Sequence, residues 1–69
     1  MPEINETLGQ RIKRLRIERN MSQEQLAERL GYKSRSSINK IELGINDITQ
    51  TKVIEFAEVL RVTPAYLMG

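Results

Sequence analysis

The sequence predicts an all-α fold, a compact bundle of five short helices, and three observations point there. Apolar residues recur at helical spacing along nearly the whole chain. Capping residues and glycines cut that pattern into short segments joined by connections of a few residues. Neither strand-like alternation nor an internal repeat interrupts it. The 69 residues make a single domain, residues 1–69, of a size at which folding buries only about 60% of the unfolded chain's surface. With no Cys and no His, disulfides and thiolate or imidazole zinc ligation are excluded, so helix packing has to hold the fold.

The first helix is predicted over about residues 5–19, where Ile4, Leu8, Ile12 and Leu15 form one apolar seam bordered by Arg11, Lys13, Arg14 and Arg16. Ile17 points away from that seam. Asn20 breaks the pattern, and Ser22 followed by Gln25 is a capping box that opens a second helix over residues 22–30, with Met21 and Leu26 as its hydrophobic staple. This helix buries Leu26, Ala27 and Leu30 and stops at Gly31, a residue suited to a left-handed C-terminal cap.

Ser34 is placed to cap a third helix over residues 34–43, ended by Gly44. Ile38 and Ile41 point inward. On a helical wheel Arg35, Ser36, Asn39, Lys40 and Leu43 gather on the other side, a mainly polar, donor-rich face. Asp47 or Thr49 caps a fourth helix, residues 49–60, in which Val53, Phe56, Ala57 and Leu60 follow the i, i+3, i+4, i+7 rule and Ile54 widens the stripe. Phe56 is the expected core anchor. Thr63-Pro64, an N-cap followed by proline at the first helical position, opens a fifth helix over residues 63–68.

Composition narrows the function. Without Cys or His, the Cys-His and Ser-His nucleophilic pairs and imidazole acid/base chemistry are absent, and the nine acidic residues are scattered among basic neighbours as solvated faces. The chain is read as no enzyme, with no metal and no cofactor. No apolar run approaches the roughly 20 residues of a bilayer span, and the N-terminus lacks a basic start followed by an apolar stretch. The expected location is the cytoplasm, with which the lack of Cys agrees. Net charge is only +2, but residues 1–40 carry nine Lys/Arg against five Asp/Glu, whereas residues 41–69 carry two against four. Positive charge thus lies with the first three helices, as a phosphate-facing surface requires and as a solvated basic face also shows.

Two short helices joined by a tight turn, the second presenting polar side chains, form the unit that sets a helix in the DNA major groove. The stretch Met21-Ser22-Gln23-Glu24-Gln25-Leu26-Ala27-Glu28-Arg29-Leu30-Gly31, followed by Ser36-Ser37-Ile38-Asn39-Lys40-Ile41-Glu42-Leu43-Gly44, resembles the phage-repressor and Cro-like helix-turn-helix family, often called XRE. The resemblance runs from Leu8 to Met68. It implies a lambda-repressor-like fold and a transcriptional regulator, a repressor acting by occupying double-stranded operator DNA.

Residue by residue, the resemblance puts Arg35, Ser36, Asn39 and Lys40 at base-facing positions. Arg and Lys suit guanine, and Asn suits adenine. It puts Gln23 at a phosphate-contacting position, with Lys33, Ser34, Ser37 and Asn46 as further phosphate contacts. Arg16 and Glu42 resemble a pair joining the first and third helices, an arrangement that also brings Arg16 near the DNA backbone. Dimerisation through the last helices makes Tyr66, Leu67 and Met68 the interface candidates of a homodimer on DNA, and members often continue into a C-terminal dimerisation or sensing domain.

Between Gly31 and Ile38 the chain holds one residue more than the family pattern, as though Tyr32-Lys33-Ser34 replaced a two-residue turn; the register follows the family from Ile38 onward and is open at the start of the third helix. Ile48 stands where the family often has proline. Tyr32 either contacts DNA from the turn or shields the Leu30 end of the core. Two rival functions use the same scaffold: a protein-interaction module binding a partner peptide, and an antitoxin binding both DNA and a toxin.

Overall fold

Leu8, the second apolar residue of the first seam, is also the first helical residue of the computed structural model, which describes residues 6–69. The elements are α1 (Leu8–Glu18), α2 (Gln23–Arg29), α3 (Arg35–Glu42), α4 (Gln50–Leu60) and α5 (Pro64–Met68). All five anticipated helices are present. Ile4 and residue 5 lie outside the described residues.

The start of α1 is a correction, because Glu6 and Thr7 are not helical. Thr7 accepts from the Gln10 backbone N–H while Gln10 Oε1 accepts from the Thr7 N–H, a capping box that fixes the helix start downstream of the apolar pattern. Ser22 and Gln25 repeat the device at α2. Thr49, not Asp47, caps α4, and Thr63 caps α5 with Pro64 behind it. Ser34 precedes α3 in extended conformation but makes no side-chain cap; its hydroxyl pairs instead with the Ser36 hydroxyl at 2.8 Å.

Four helices end alike. Met21 N–H bonds to Arg16 O, Tyr32 to Ala27 O, Ile45 to Lys40 O and Val62 to Ala57 O, each across a residue with positive φ: Asn20, Gly31, Gly44 and Arg61. These are Schellman closures, which satisfy carbonyls left open by the last turn. Gly44 takes its φ of 78° without steric cost.

Twelve apolar residues form one core, in which Phe56 is the largest fully buried side chain: Ile12 and Leu15 from α1, Leu26, Ala27 and Leu30, Ile38 and Ile41 from α3, Val53, Phe56, Ala57 and Leu60 from α4, and Leu67 from α5. Fully burying an aliphatic or aromatic side chain of this size is worth about 1.5–3 kcal/mol. Ile54, assigned to the inner stripe of α4, faces solvent instead at 46% exposure, since Val53, Phe56, Ala57 and Leu60 already fill the inner arc. Tyr32 packs against the core. Its ring lies 6.3 Å from Phe56, and Lys52 Nζ sits 4.7 Å from the ring centroid while donating to Leu30 O. The α2–α3 turn is thereby anchored to α4, with Tyr32 covering the Leu30 end of the core.

Packing of α3 against both α1 and α2 fixes the element of functional interest. Gly9 permits a close approach of α1 to the C-terminal end of α3. A Cβ there would collide with the carbonyl oxygen of Ile41 and lie 2.7 Å from that of Glu42. Any side chain at position 9 would wedge α1 away from α3.

Candidate nucleic-acid interface

The helical period puts Ile38 and Ile41 on one side of α3, where both are buried, and leaves Arg35, Ser36, Asn39 and Lys40 exposed on the other. All four sequence-assigned base readers therefore share one open face. Lys33 and Ser34 are exposed at its N-terminal approach and Asn46 at its C-terminal approach, while Ser37 is half-buried. The loop carrying Asn46 folds back on the helix end, with the Ile45 and Asn46 N–H groups both donating to Lys40 O, at 2.9 and 3.3 Å. Ile48 is partly buried against the core.

A polar chain ties this face to the interior. Arg16 Nε donates to Glu42 Oε2 at 2.7 Å and Nη2 to Oε1 at 3.2 Å, and Nη1 donates to Met21 O at 2.8 Å. Gln23 Nε2 donates both to Glu42 Oε1 at 3.0 Å and to Asn39 Oδ1 at 3.2 Å. Every nitrogen of the Arg16 guanidinium is thus engaged inside the protein, and the residue is 8% exposed. The ion pair with Glu42 is present. The three bonds use three of the five guanidinium N–H donors, so the geometry assigns Arg16 first to holding α1 against α3.

Most of the positive charge on α1 is likewise consumed. Arg14 binds Glu6 at 2.7 Å and Glu18 at 3.1 Å and donates to Tyr66 Oη at 3.1 Å. Arg11 lies 3.4 Å from Glu6 and donates to Leu67 O. The Arg14 hydrogen bond holds the Glu6 carboxyl below its ordinary pKa, and the same contact, joined by Tyr66 and Glu18, raises that of the guanidinium. Glu6 was not singled out in the sequence, where its position ahead of the first basic cluster was the available signal. On α5, Tyr66 and Met68 are about half exposed, but Leu67 is fully buried. Leu67 is a core residue and presents nothing to a partner.

The helix-turn-helix family profile matches residues 12–67. The chain belongs to the helix-turn-helix family. It is of the XRE, Cro-like class, a class of DNA-binding transcriptional regulators whose members are typically not enzymes.

Solved structures agree with this assignment. The helix-turn-helix chain superposes on the restriction-modification controller protein C.AhdI from Aeromonas hydrophila with a TM-score of 0.78 at 32% identity, over 87% of this chain and 86% of that one. The master regulator for biofilm formation SinR, solved in complex with DNA, gives a TM-score of 0.81 at 30% identity over 91% of this chain and all of that one. In a SinR/SinI complex the match has a TM-score of 0.79 and covers 90% of this chain but 60% of the other. Among curated proteins no relative matches. No helix among the described residues of this helix-turn-helix domain is long and apolar enough to cross a membrane.

Proposed function

We propose that this protein is a sequence-specific repressor that occupies double-stranded operator DNA as a homodimer, with α3 in the major groove. The observation that carries the reading is the open face of α3. Arg35, Ser36, Asn39 and Lys40 are exposed together on a helix whose other side is locked by Ile38, Ile41 and the Arg16–Glu42 pair. A groove about 12 Å wide accepts such a helix, and these side chain types match the donor and acceptor patterns of guanine and adenine.

Lys33, Ser34, Ser37 and Asn46 bracket the face and serve as phosphate contacts. Gln23 joins them from the start of α2 by exchanging its bonds to Asn39 and Glu42 for a phosphate oxygen. In a two-fold dimer the paired α3 helices enter successive major grooves about 34 Å apart. Tyr66 and Met68, exposed on α5, are the residues proposed to meet across the axis. Solved structures with DNA and with a protein partner exist for the similar regulator SinR, and DNA is favoured here by the donor-rich character of the α3 face. Acting on an operator places the protein in the cytoplasm.

Selection of binding sites from random duplex DNA tests the reading. Recovery of a two-fold symmetric motif supports it, with half-sites about one helical turn apart. Recovery of no motif, together with DNA binding that ignores salt, rejects it in favour of a peptide-binding module.

A further inference from the structure

Beside α3 runs a cleft of about 320 Å³ whose α1 wall carries no assigned DNA contact. One wall is the beginning of α1, with Thr7, Gln10 and Lys13; the other is the C-terminal half of α3, with Asn39 and Leu43. Resting on the DNA-binding reading above, we infer that this cleft receives a phosphate of the DNA backbone and that Lys13 is its cationic contact, which extends the interface from α3 onto α1.

Three observations support the assignment. First, Lys13 is exposed and lies within 4.0 Å of no carboxylate among the described residues, whereas Arg11, Arg14, Arg16 and Arg19 all do. Among the described residues it is the cation of α1 left available for an external anion. Second, the carboxylate that borders the cleft, Glu42, is already neutralised. Both its oxygens accept from Arg16, Oε2 from Nε and Oε1 from Nη2, and its side chain is 2% exposed. An incoming phosphate therefore meets the positive charge of Lys13 without an opposing exposed acid.

Third, neutral donors lie beside that charge. Thr7 Oγ1 and Gln10 Oε1 act as acceptors inside the capping box, which leaves the Thr7 hydroxyl proton and the Gln10 Nε2 group to donate outward. A phosphate oxygen takes such donors, and charge-assisted bonds from a lysine ammonium are the stronger kind. Because Asn39 borders the same cleft, a phosphate held there lies next to a base-reading side chain and sets how deeply α3 enters the groove.

The test uses the intact chain and a duplex recovered by selection from random sequence, titrated at several salt concentrations. Lys13→Ala is expected to lower the magnitude of the log-log salt slope by about 0.9, the value for one released counterion, and to weaken all sequences by the same factor. Lys13→Arg is expected to restore the slope. Replacing single phosphates in the duplex by neutral methylphosphonates then locates the contact, because at one position the substitution should weaken the wild type and leave Lys13→Ala unaffected. A Lys13→Ala slope equal to that of the wild type, with no coupled position, overturns the inference while a steep wild-type slope leaves DNA binding standing. A flat wild-type slope removes both.

Discussion

Arg16 and Glu42 form a fork-to-fork pair, Nε to Oε2 at 2.7 Å and Nη2 to Oε1 at 3.2 Å, between side chains that are 10% and 2% exposed. The pair clamps α1 to the inner edge of α3. Removing the cation leaves a buried carboxylate whose remaining donor is Gln23 and also strips Met21 O of a partner. Arg16→Ala should therefore destabilise the fold by about 3 kcal/mol. Adding Glu42→Gln should recover part of that loss, because the neutral amide is cheaper to bury. Urea melts of the two variants and the wild type check both statements, and an unchanged midpoint for Arg16→Ala would contradict the clamp.

A second constraint on the same junction involves no charge. Gly9 faces the carbonyls of Ile41 and Glu42, so the methyl of Gly9→Ala has to displace backbone rather than a flexible side chain. Alanine in a helix is worth about 1 kcal/mol more than glycine, yet overpacking of this kind costs about 1–3 kcal/mol or more. The expected net result is a loss of stability. It should be accompanied by weaker DNA binding in the variant that remains folded, since α3 would be tilted from its seat. A melt in which Gly9→Ala is more stable than the wild type would show that helix propensity wins.

Arg61 closes α4 with φ of 59°, in the left-handed region where Gly31 and Gly44 close α2 and α3. A non-glycine residue pays about 1–2 kcal/mol there, partly offset by the greater unfolded-state freedom of glycine. Arg61→Gly should raise stability by about 0.5–1 kcal/mol. Thermal denaturation at neutral pH reads the gain directly, and a lower melting temperature would show that Arg61 makes a compensating contact.

How far these features were legible follows the range of the interactions involved. The Ser22–Gln25 box and Thr63-Pro64 are local, and both could be read off the chain. The Thr7–Gln10 box was as local, but the apolar spacing continued upstream through Ile4 and drew the expected helix start with it. Ser34 holds the N-cap position that the sequence gives it, but its hydroxyl pairs with that of Ser36 and makes no capping bond, which residue type alone does not specify. The exposed face of α3 was recoverable from period alone. The fate of Arg16 was not, since its partners Glu42 and Met21 are brought together only by tertiary packing. Leu67 and Ile54 are mirror cases: each belongs to an apolar run, and which side of its helix is buried depends on neighbours that spacing does not specify. Nothing in the sequence marked Gly9 as the point where two helices nearly touch.

The Glu6 carboxyl is held below its ordinary value of 4.5, chiefly by its hydrogen bond to Arg14. A carboxylate with a lowered folded-state pKa adds stability above the unfolded value and loses it as pH falls through the folded value. The contribution of Glu6 should thus be complete at neutral pH and decline below about pH 4.5. Because the pair lies at the surface the effect is small and screened by salt. Denaturation curves of wild type and Glu6→Gln should differ at neutral pH and converge in acid. A gap that widens on acidification would carry the wrong sign.

Base reading and backbone positioning should separate at the start of α3, where the longer turn leaves Lys33 outside the helix and makes Arg35 its first helical residue. The Ser34–Ser36 hydroxyl pair bridges this start, and Tyr32 and Lys52 anchor the turn to α4. Arg35→Ala should then relax discrimination at one base position by about 1–3 kcal/mol, the worth of a bidentate guanine contact. Lys33→Ala should weaken every sequence alike and reduce the salt slope by about one unit. A panel of the selected duplex and its single-base changes, measured with both variants at several salt concentrations, distinguishes the two roles. If Arg35→Ala weakens all sequences equally while Lys33→Ala alters preference at one base, then the reading face begins before the first turn of α3. The extra turn residue has in that case become part of the recognition surface.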